Sequence, residues 1–155
     1  MSSSIRLFVQ LDLYLGGQLE IRTGQLHYLR NVMRLGLGAE FLLFNGQNGE
    51  FLGEIVDIKK RSILVSIKDQ VRVQYPDSDI WLLFSPIKRS GVNFIIEKAT
   101  ELGVTKLLPV LTDYTNTDRV NTDRLNTIAI EAAEQCRRLT VPDIAEPKLL
   151  NEVLD

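Results

Sequence analysis

The sequence predicts a two-part chain mixing α+β and α/β organisation. A small, mostly antiparallel β-barrel is expected over residues 1–74, and an incomplete α/β domain over 79–155. Three observations predict this. Five or so short apolar stretches with tight turns surround one helix in the first seventy residues. Residues 80–110 read as strand, helix and strand, a βαβ unit with both strands parallel and buried. Between them lies Gln74-Tyr75-Pro76-Asp77-Ser78-Asp79, a polar, proline-containing linker.

In the first part, residues 5–9 form a strand candidate and Gly16-Gly17 a turn. Residues 18–22 make a second strand, and Thr23 is placed to cap a helix over about 24–34. Leu26, Leu29, Val32 and Met33 give that helix its apolar side. Residues 40–44 and 50–58 flank Asn45-Gly46-Gln47-Asn48-Gly49, a strong hairpin signal. Lys59-Lys60-Arg61 makes the next turn, and Ile63, Val65 and Ile67 alternate along a further strand.

In the second part, Ile80 to Phe84 is an unbroken apolar run, so Trp81 and Phe84 read as core. Val92, Ile95, Ile96, Ala99 and Leu102 share one helical stripe, and Gly103 ends the helix. Residues 106–110 follow as a strand. After a polar loop over 112–121, Asn121 is expected to cap a second helix with Asp123 in its first turn. Leu125, Ile128, Ala129, Ala132, Ala133 and Cys136 form that helix's apolar stripe, and Val141-Pro142 stops it. The last dozen residues show too little apolar patterning to complete a sheet, so the domain reads as half built.

Composition limits the chemistry. At 155 residues, 45% hydrophobic and 25% charged, the chain is composed like a soluble globular protein. No apolar run approaches a membrane span, and the N-terminus lacks the cleavage pattern of a signal peptide, so a cytoplasmic protein is expected. Cys136 is the sole cysteine and His27 the sole histidine, which argues against a His/Cys zinc site and a Ser-His-Asp triad. Residues 1–76 carry nine Lys/Arg against seven Asp/Glu, and residues 77–155 nine against thirteen. On this balance only the first part suits a polyanion. No Walker-type or GxGxxG loop is present.

Two sets of side chains could carry function. Arg6, Arg22, Arg30, Arg34 and Lys59-Lys60-Arg61 could form a phosphate-binding surface or simply a soluble one. Glu131, Glu134, Gln135 and Arg138 share about a third of the second helix's circumference. They could be a solvated face or a patch aimed at a cleft. Glu97, Lys98 and Glu101 read by spacing as an ordinary solvated face.

Taken together, Arg6-Leu7-Phe8, HYLRNVMRLGLGAEFLLFNGQNGEF over 27–51, IKRSGVNFIIEKATELGVTKLLPVLT over 87–112 and IAIEAAEQCRRLTVPDI over 128–144 resemble the RsmE family. These are bacterial 16S rRNA uracil-N3 methyltransferases of the SPOUT class. The resemblance implies a PUA-like RNA-binding barrel and a SPOUT-type domain whose trefoil knot binds S-adenosylmethionine. The family's GPEGG-like and LG-x-RILR-like knot segments have no counterpart here, so the cofactor-binding loops are expected to lie beyond residue 155 and this chain alone to be inactive. Tyr28 and Tyr114 stand where the family commonly has His and Arg.

Carried over residue by residue, the resemblance implies that Arg6, Arg30 and Arg34 contact rRNA, and His27, Lys59, Lys60 and Arg61 are expected to join them in an RNA-binding set. Lys88, Glu97, Lys98 and Glu101 would border or brace the active-site side, and Glu134, Gln135 and Arg138 would lie near the substrate uracil. Deprotonating an imide nitrogen leaves charge on the flanking carbonyl oxygens, which an arginine can stabilise and a nearby carboxylate can assist. The implied partner is 16S rRNA in the small subunit, with a homodimer for the full-length protein. The competing expectations are a stand-alone RNA-binding module without catalysis, and a structural protein whose sheet a partner completes.

Overall fold

The computed structural model describes residues 5–115 and 119–154. Part of the expected 112–121 loop therefore lies outside the described residues. The chain divides into two compact units, Met1–Tyr75 and Pro76–Asp155.

In the first unit β1 (Arg6–Phe8), β2 (Gln18–Ile21), β3 (Glu40–Phe44), β4 (Glu50–Ile58) and β5 (Ile63–Arg72) form one sheet in the order β1-β3-β4-β5-β2. All pairings are antiparallel except β1 with β3. The β3–β4 hairpin closes as the sequence predicts. Asn45 Oδ1 accepts the amides of Gln47 and Asn48 at 3.0 and 2.9 Å, and Gly46 and Gly49 take positive φ. Inward residues of the strands bury Leu7, Leu19, Phe41, Leu43, Phe51, Ile55 and Val65 in one core.

The helix differs from expectation. α1 (Thr23–His27) runs into a π-helical turn over Tyr28–Val32, in which the Met33 amide reaches the Tyr28 carbonyl at 2.9 Å. Thr23 is inside the helix at φ 54°, and Arg22 occupies the cap position without a side-chain cap bond. The wider turn breaks the 3.6-residue period. Leu29 is buried, while Val32 rotates out to solvent.

In the second unit β6 (Trp81–Phe84), α2 (Arg89–Glu101), β7 (Lys106–Leu111) and α3 (Thr122–Cys136) lead to β8 (Asp143–Ile144). Beyond it lie β9 (Lys148–Leu149) and α4 (Leu150–Leu154). β6, β8 and β9 all pair with β7 in parallel. The tail thus adds strands that its sparse apolar pattern did not reveal: β8 and β9 pair with successive stretches of β7, interrupted around Pro147, which has no amide hydrogen to donate.

Phe84, Val92, Ile96, Ala99, Leu107, Leu125, Ala129 and Ile144 pack together, so α2 and α3 share this core with the sheet. Alternate residues of β6 point away from it, and Trp81 (55% exposed) and Leu83 are open to solvent. Trp81 is therefore not core; its indole donates to Asp79 at 2.6 Å and carries the Lys106 ammonium 4.6 Å from its ring centre. Leu102 also departs from its stripe: it follows the last turn of α2 and is exposed, and Thr100 is buried instead. Gly103 (φ 90°) ends α2 in a Schellman arrangement, with Val104 N–H to Ala99 O and Gly103 N–H to Thr100 O.

Candidate functional site

Both crossover helices run back against the direction of the strands, so their N-termini stand at the carboxyl ends of β6 and β7. In open parallel sheets that is the end at which ligands bind. A cleft of about 500 Å³ lies there, lined by Pro86, Ile87, Lys88, Arg89, Val92, Arg119, Val120, Asn121, Arg124 and Leu125. Its floor is aliphatic, with Val92 and Leu125 buried, and four cations line its walls. Among the described residues no carboxylate lines it. The Asn121 side chain accepts the Arg124 amide at 2.9 Å, the cap the sequence predicts, and this fixes the start of α3 at the cleft. Among the described residues Lys88, Arg89 and Arg124 form no salt bridge.

Of the expected site residues only Lys88 lines this cleft. Glu97, Lys98 and Glu101 lie toward the other end of α2 and pair with one another. The Glu97 and Glu101 carboxylates, hydrogen-bonded to Lys98, hold its ammonium above the ordinary lysine range. Glu134 and Gln135 lie in the last turn of α3. Cys136 is exposed rather than buried, because α3 ends there and its stripe no longer faces the sheet.

The structure places Arg138 away from this cleft. Arg137 closes α3 in the left-handed region (φ 62°), which turns the chain toward the end of α2. The Arg138 guanidinium then donates to Thr100 O at 3.1 Å, Val104 O at 2.6 Å, Thr140 Oγ1 at 3.0 Å and Asp77 Oδ2 at 2.9 Å. Its side chain is 9% exposed. It is a cation on the Thr100 carbonyl in the last turn of α2, where the helix dipole favours it, and on the Val104 carbonyl just beyond that helix. The 15 residues of α3 span roughly 22 Å, which separates it from the cleft at the helix N-termini. Arg138 positions α2, α3 and the segment before β6; it does not line the cleft.

The first unit corrects Arg6 in the same way. Arg6 and Glu50 are both buried, with Nε to Oε1 at 2.5 Å, and the guanidinium carbon lies 4.3 Å from the Phe44 ring centre. Arg72 reaches the second Glu50 oxygen at 2.8 Å. Burial alone would raise the Glu50 carboxyl, but the hydrogen bonds from Arg72 and Arg6 outweigh it and hold the carboxyl below its ordinary range. Arg6 is thus a core ion pair, not an RNA contact.

Arg22, Thr23, Leu26, Lys60, Arg61 and Ser62 line a concavity in the first unit. Arg22, Lys60 and Arg61 of the expected basic set are therefore brought together, with Arg22 paired to Glu20 at 2.5 Å. Lys59 stands 3.9 Å from Asp57. His27 shares a hydrogen bond with Asn31 at 2.8 Å. Arg30 and Arg34 are exposed, with Arg34 at φ 54°.

With this geometry in place, comparison with known proteins is decisive. The profile of the RNA methyltransferase domain matches residues 74–155, and that of the RNA methyltransferase PUA domain matches residues 21–68. This chain belongs to the RsmE family of RNA methyltransferases. It is 35% identical over 150 residues to the ribosomal RNA small subunit methyltransferase E of Rickettsia conorii, covering 96% of this chain and 62% of that protein. The Synechocystis enzyme of the same name is 30% identical, over 97% of this chain and 50% of its own length. The chain thus spans less than two thirds of these relatives.

Among solved structures, a Legionella pneumophila methyltransferase with bound cofactor SAM matches at a TM-score of 0.82 and 25% identity, over 97% of this chain and 65% of that one. The Neisseria gonorrhoeae ribosomal RNA small subunit methyltransferase E, bound to S-adenosyl methionine, matches at 0.86 and 23%, over 98% and 65%. The chain therefore shares the fold of the matching part of these methyltransferases, a PUA-like domain followed by a mixed α/β domain.

Three cleft cations, Arg89, Arg119 and Arg124, were missed by sequence reasoning, and so was the cleft. The charge balance, which points to the first half, does not reveal it. Net charge averages a whole surface, whereas this acidic half gathers four cations at one end. The signal was present in the Lys88-Arg89 pair just after a strand and in two arginines flanking a helix cap.

Proposed function

We propose that the protein of which this chain forms part transfers the methyl group of S-adenosylmethionine to N3 of a uridine in 16S rRNA. The match of residues 74–155 to the RNA methyltransferase domain carries this reading. It is supported by the cationic cleft at the carboxyl ends of the strands, on the side where α/β sheets hold their ligands. In this reading the first unit grips rRNA through Arg22, Lys60 and Arg61, with Arg30, Arg34, Lys59 and His27 as further contacts.

The cofactor-binding segment is assigned to the part of the relatives' length that this chain does not span. That further polypeptide would cover the sheet face bearing Trp81 and Leu83, since parallel sheets are normally packed on both sides. The 155 residues alone are then catalytically silent, the whole protein works as a homodimer, and its place is the cytoplasm. No helix among the described residues is long and apolar enough to cross a membrane.

The test is methyl transfer from isotope-labelled S-adenosylmethionine to small ribosomal subunits by the whole protein, with the product nucleoside identified by mass spectrometry. Label in 3-methyluridine is expected. Salt-dependent rRNA binding without label transfer would instead favour a binding module.

A further inference from the structure

We propose that the joint connecting the two units is confined to Tyr75 and Pro76, and that Asp77 is the pin that keeps it short. This rests on the reading of the protein as an rRNA methyltransferase, in which both units engage one RNA.

The segment from Gln74 to Asp79 reads in sequence as a polar linker, yet it is anchored at both ends, each time within its own unit. In the first unit the Gly49 amide donates to Gln74 Oε1 at 3.2 Å, and Gln74 Nε2 donates to the Tyr75 carbonyl at 3.3 Å. The approach there is close: a Cβ added at Gly49 would run into the Arg72 carbonyl at the end of β5. In the second unit Asp77 Oδ2 accepts from Arg138 Nη2 at 2.9 Å and from the Thr140 hydroxyl. Arg138 is itself fixed by the carbonyls of Thr100 and Val104, so Asp77 is held by the end of α2 and the turn after α3. Beyond it the Ile80 amide donates to Thr105 Oγ1 at 3.1 Å, and the Ile80 carbonyl accepts the Thr105 amide at 2.8 Å.

Tyr75 and Pro76 alone lie between the two anchors. Proline fixes its own φ near −65° and biases the preceding residue toward extended backbone, so the joint is stiff as well as short. At most about 3.6 Å per residue, it spans roughly 7 Å. Without the Asp77 carboxylate the free stretch runs from Tyr75 to Asp79, roughly 17 Å. The effective concentration of one linked binding unit at another falls roughly as the −3/2 power of linker length. Lengthening the joint from two residues to five therefore lowers it about fourfold. A short joint presents RNA gripped by the first unit to the second at high effective concentration.

The experiment compares the whole wild-type protein with D77A and with a variant carrying Gly-Ser-Gly inserted between Tyr75 and Pro76. The insertion gives the same joint length and leaves Asp77 in place. Hydrogen exchange over residues 76–81, followed by mass spectrometry, should be at least about tenfold faster in D77A, with α3 unchanged. Affinity for 16S rRNA should fall about fourfold in both variants. D77N, which keeps the size of the side chain, replaces D77A if that variant does not fold. If residues 76–81 exchange as fast in the wild type as in the variant, Asp77 is not a pin, though the RNA reading survives. If D77A weakens binding and the insertion does not, the loss comes from the fold of the second unit and the proposal is overturned. Unchanged affinity in both variants overturns it as well. If the wild type binds no rRNA, the methyltransferase reading falls with it.

Discussion

Replacing Arg138 by alanine separates a positioning arginine from a catalytic one. In the structure its guanidinium bonds the carbonyls of Thr100 and Val104, the hydroxyl of Thr140 and the carboxylate of Asp77, with 9% of the side chain exposed. Hydrogen bonds to charged groups contribute about 1.5–3 kcal/mol each, and breaking a buried pair typically costs about 3–5 kcal/mol. Asp77 keeps 21% exposure and can partly rehydrate, so the lower end applies, about 3 kcal/mol. For a unit of this size that corresponds to a fall in Tm of roughly 12–24 °C.

R138K keeps the charge but not the fork, and should lose about half as much. Trp81, the single tryptophan, lies in the second unit, so its fluorescence during urea unfolding reports that unit. Below the transition, R138A should bind rRNA with the wild-type salt slope, because Arg138 does not line the cleft. A variant as stable as the wild type to within about 0.5 kcal/mol, yet defective in RNA binding or methyl transfer, would refute the positioning role.

Two further substitutions probe the first unit. E50Q leaves Arg6 buried against a neutral amide and should cost about 3–5 kcal/mol in urea denaturation at neutral pH. Because the Glu50 carboxyl titrates below its ordinary range when folded, its stabilisation is fully present above the unfolded value of about 4.3 and is lost as pH falls through the folded value. The gap between wild type and E50Q should therefore stay level from neutrality down to about pH 5 and close on further acidification; a gap that widens in acid would contradict the ion-pair assignment. At Gly53 an added Cβ would stand 2.7 Å from both Leu43 Cδ1 and Val65 Cγ1, so G53A should destabilise the unit by about 1–3 kcal/mol, read as a lower urea midpoint.

Features set by neighbours in sequence could be read before the structure. Asn45 to Gly49 forms the predicted hairpin loop, Asn121 caps α3, Gly103 ends α2, and the alternation of Ile63, Val65 and Ile67 places all three in the core. Features set by tertiary partners could not. Arg6 shows nothing in its local pattern of its pairing with Glu50, 44 residues away. Arg138 sits on a polar helical face by periodicity, but the left-handed turn at Arg137 takes it out of that helix and onto the end of α2. Val32 follows the expected spacing yet leaves the core because a π turn shifts the period. The cleft joins Lys88 and Arg89 to Arg119 and Arg124, some thirty residues apart, and only the placement of both helix starts at one end of the sheet brings them together.

The central claim, that the protein methylates N3 of a uridine in 16S rRNA, is tested most directly in cells. The gene is deleted, 16S rRNA is purified, and its nucleosides are quantified by mass spectrometry with and without the reintroduced gene. Disappearance of 3-methyluridine on deletion and its return on complementation is the expected result. Undiminished 3-methyluridine in the deleted strain would contradict the claim.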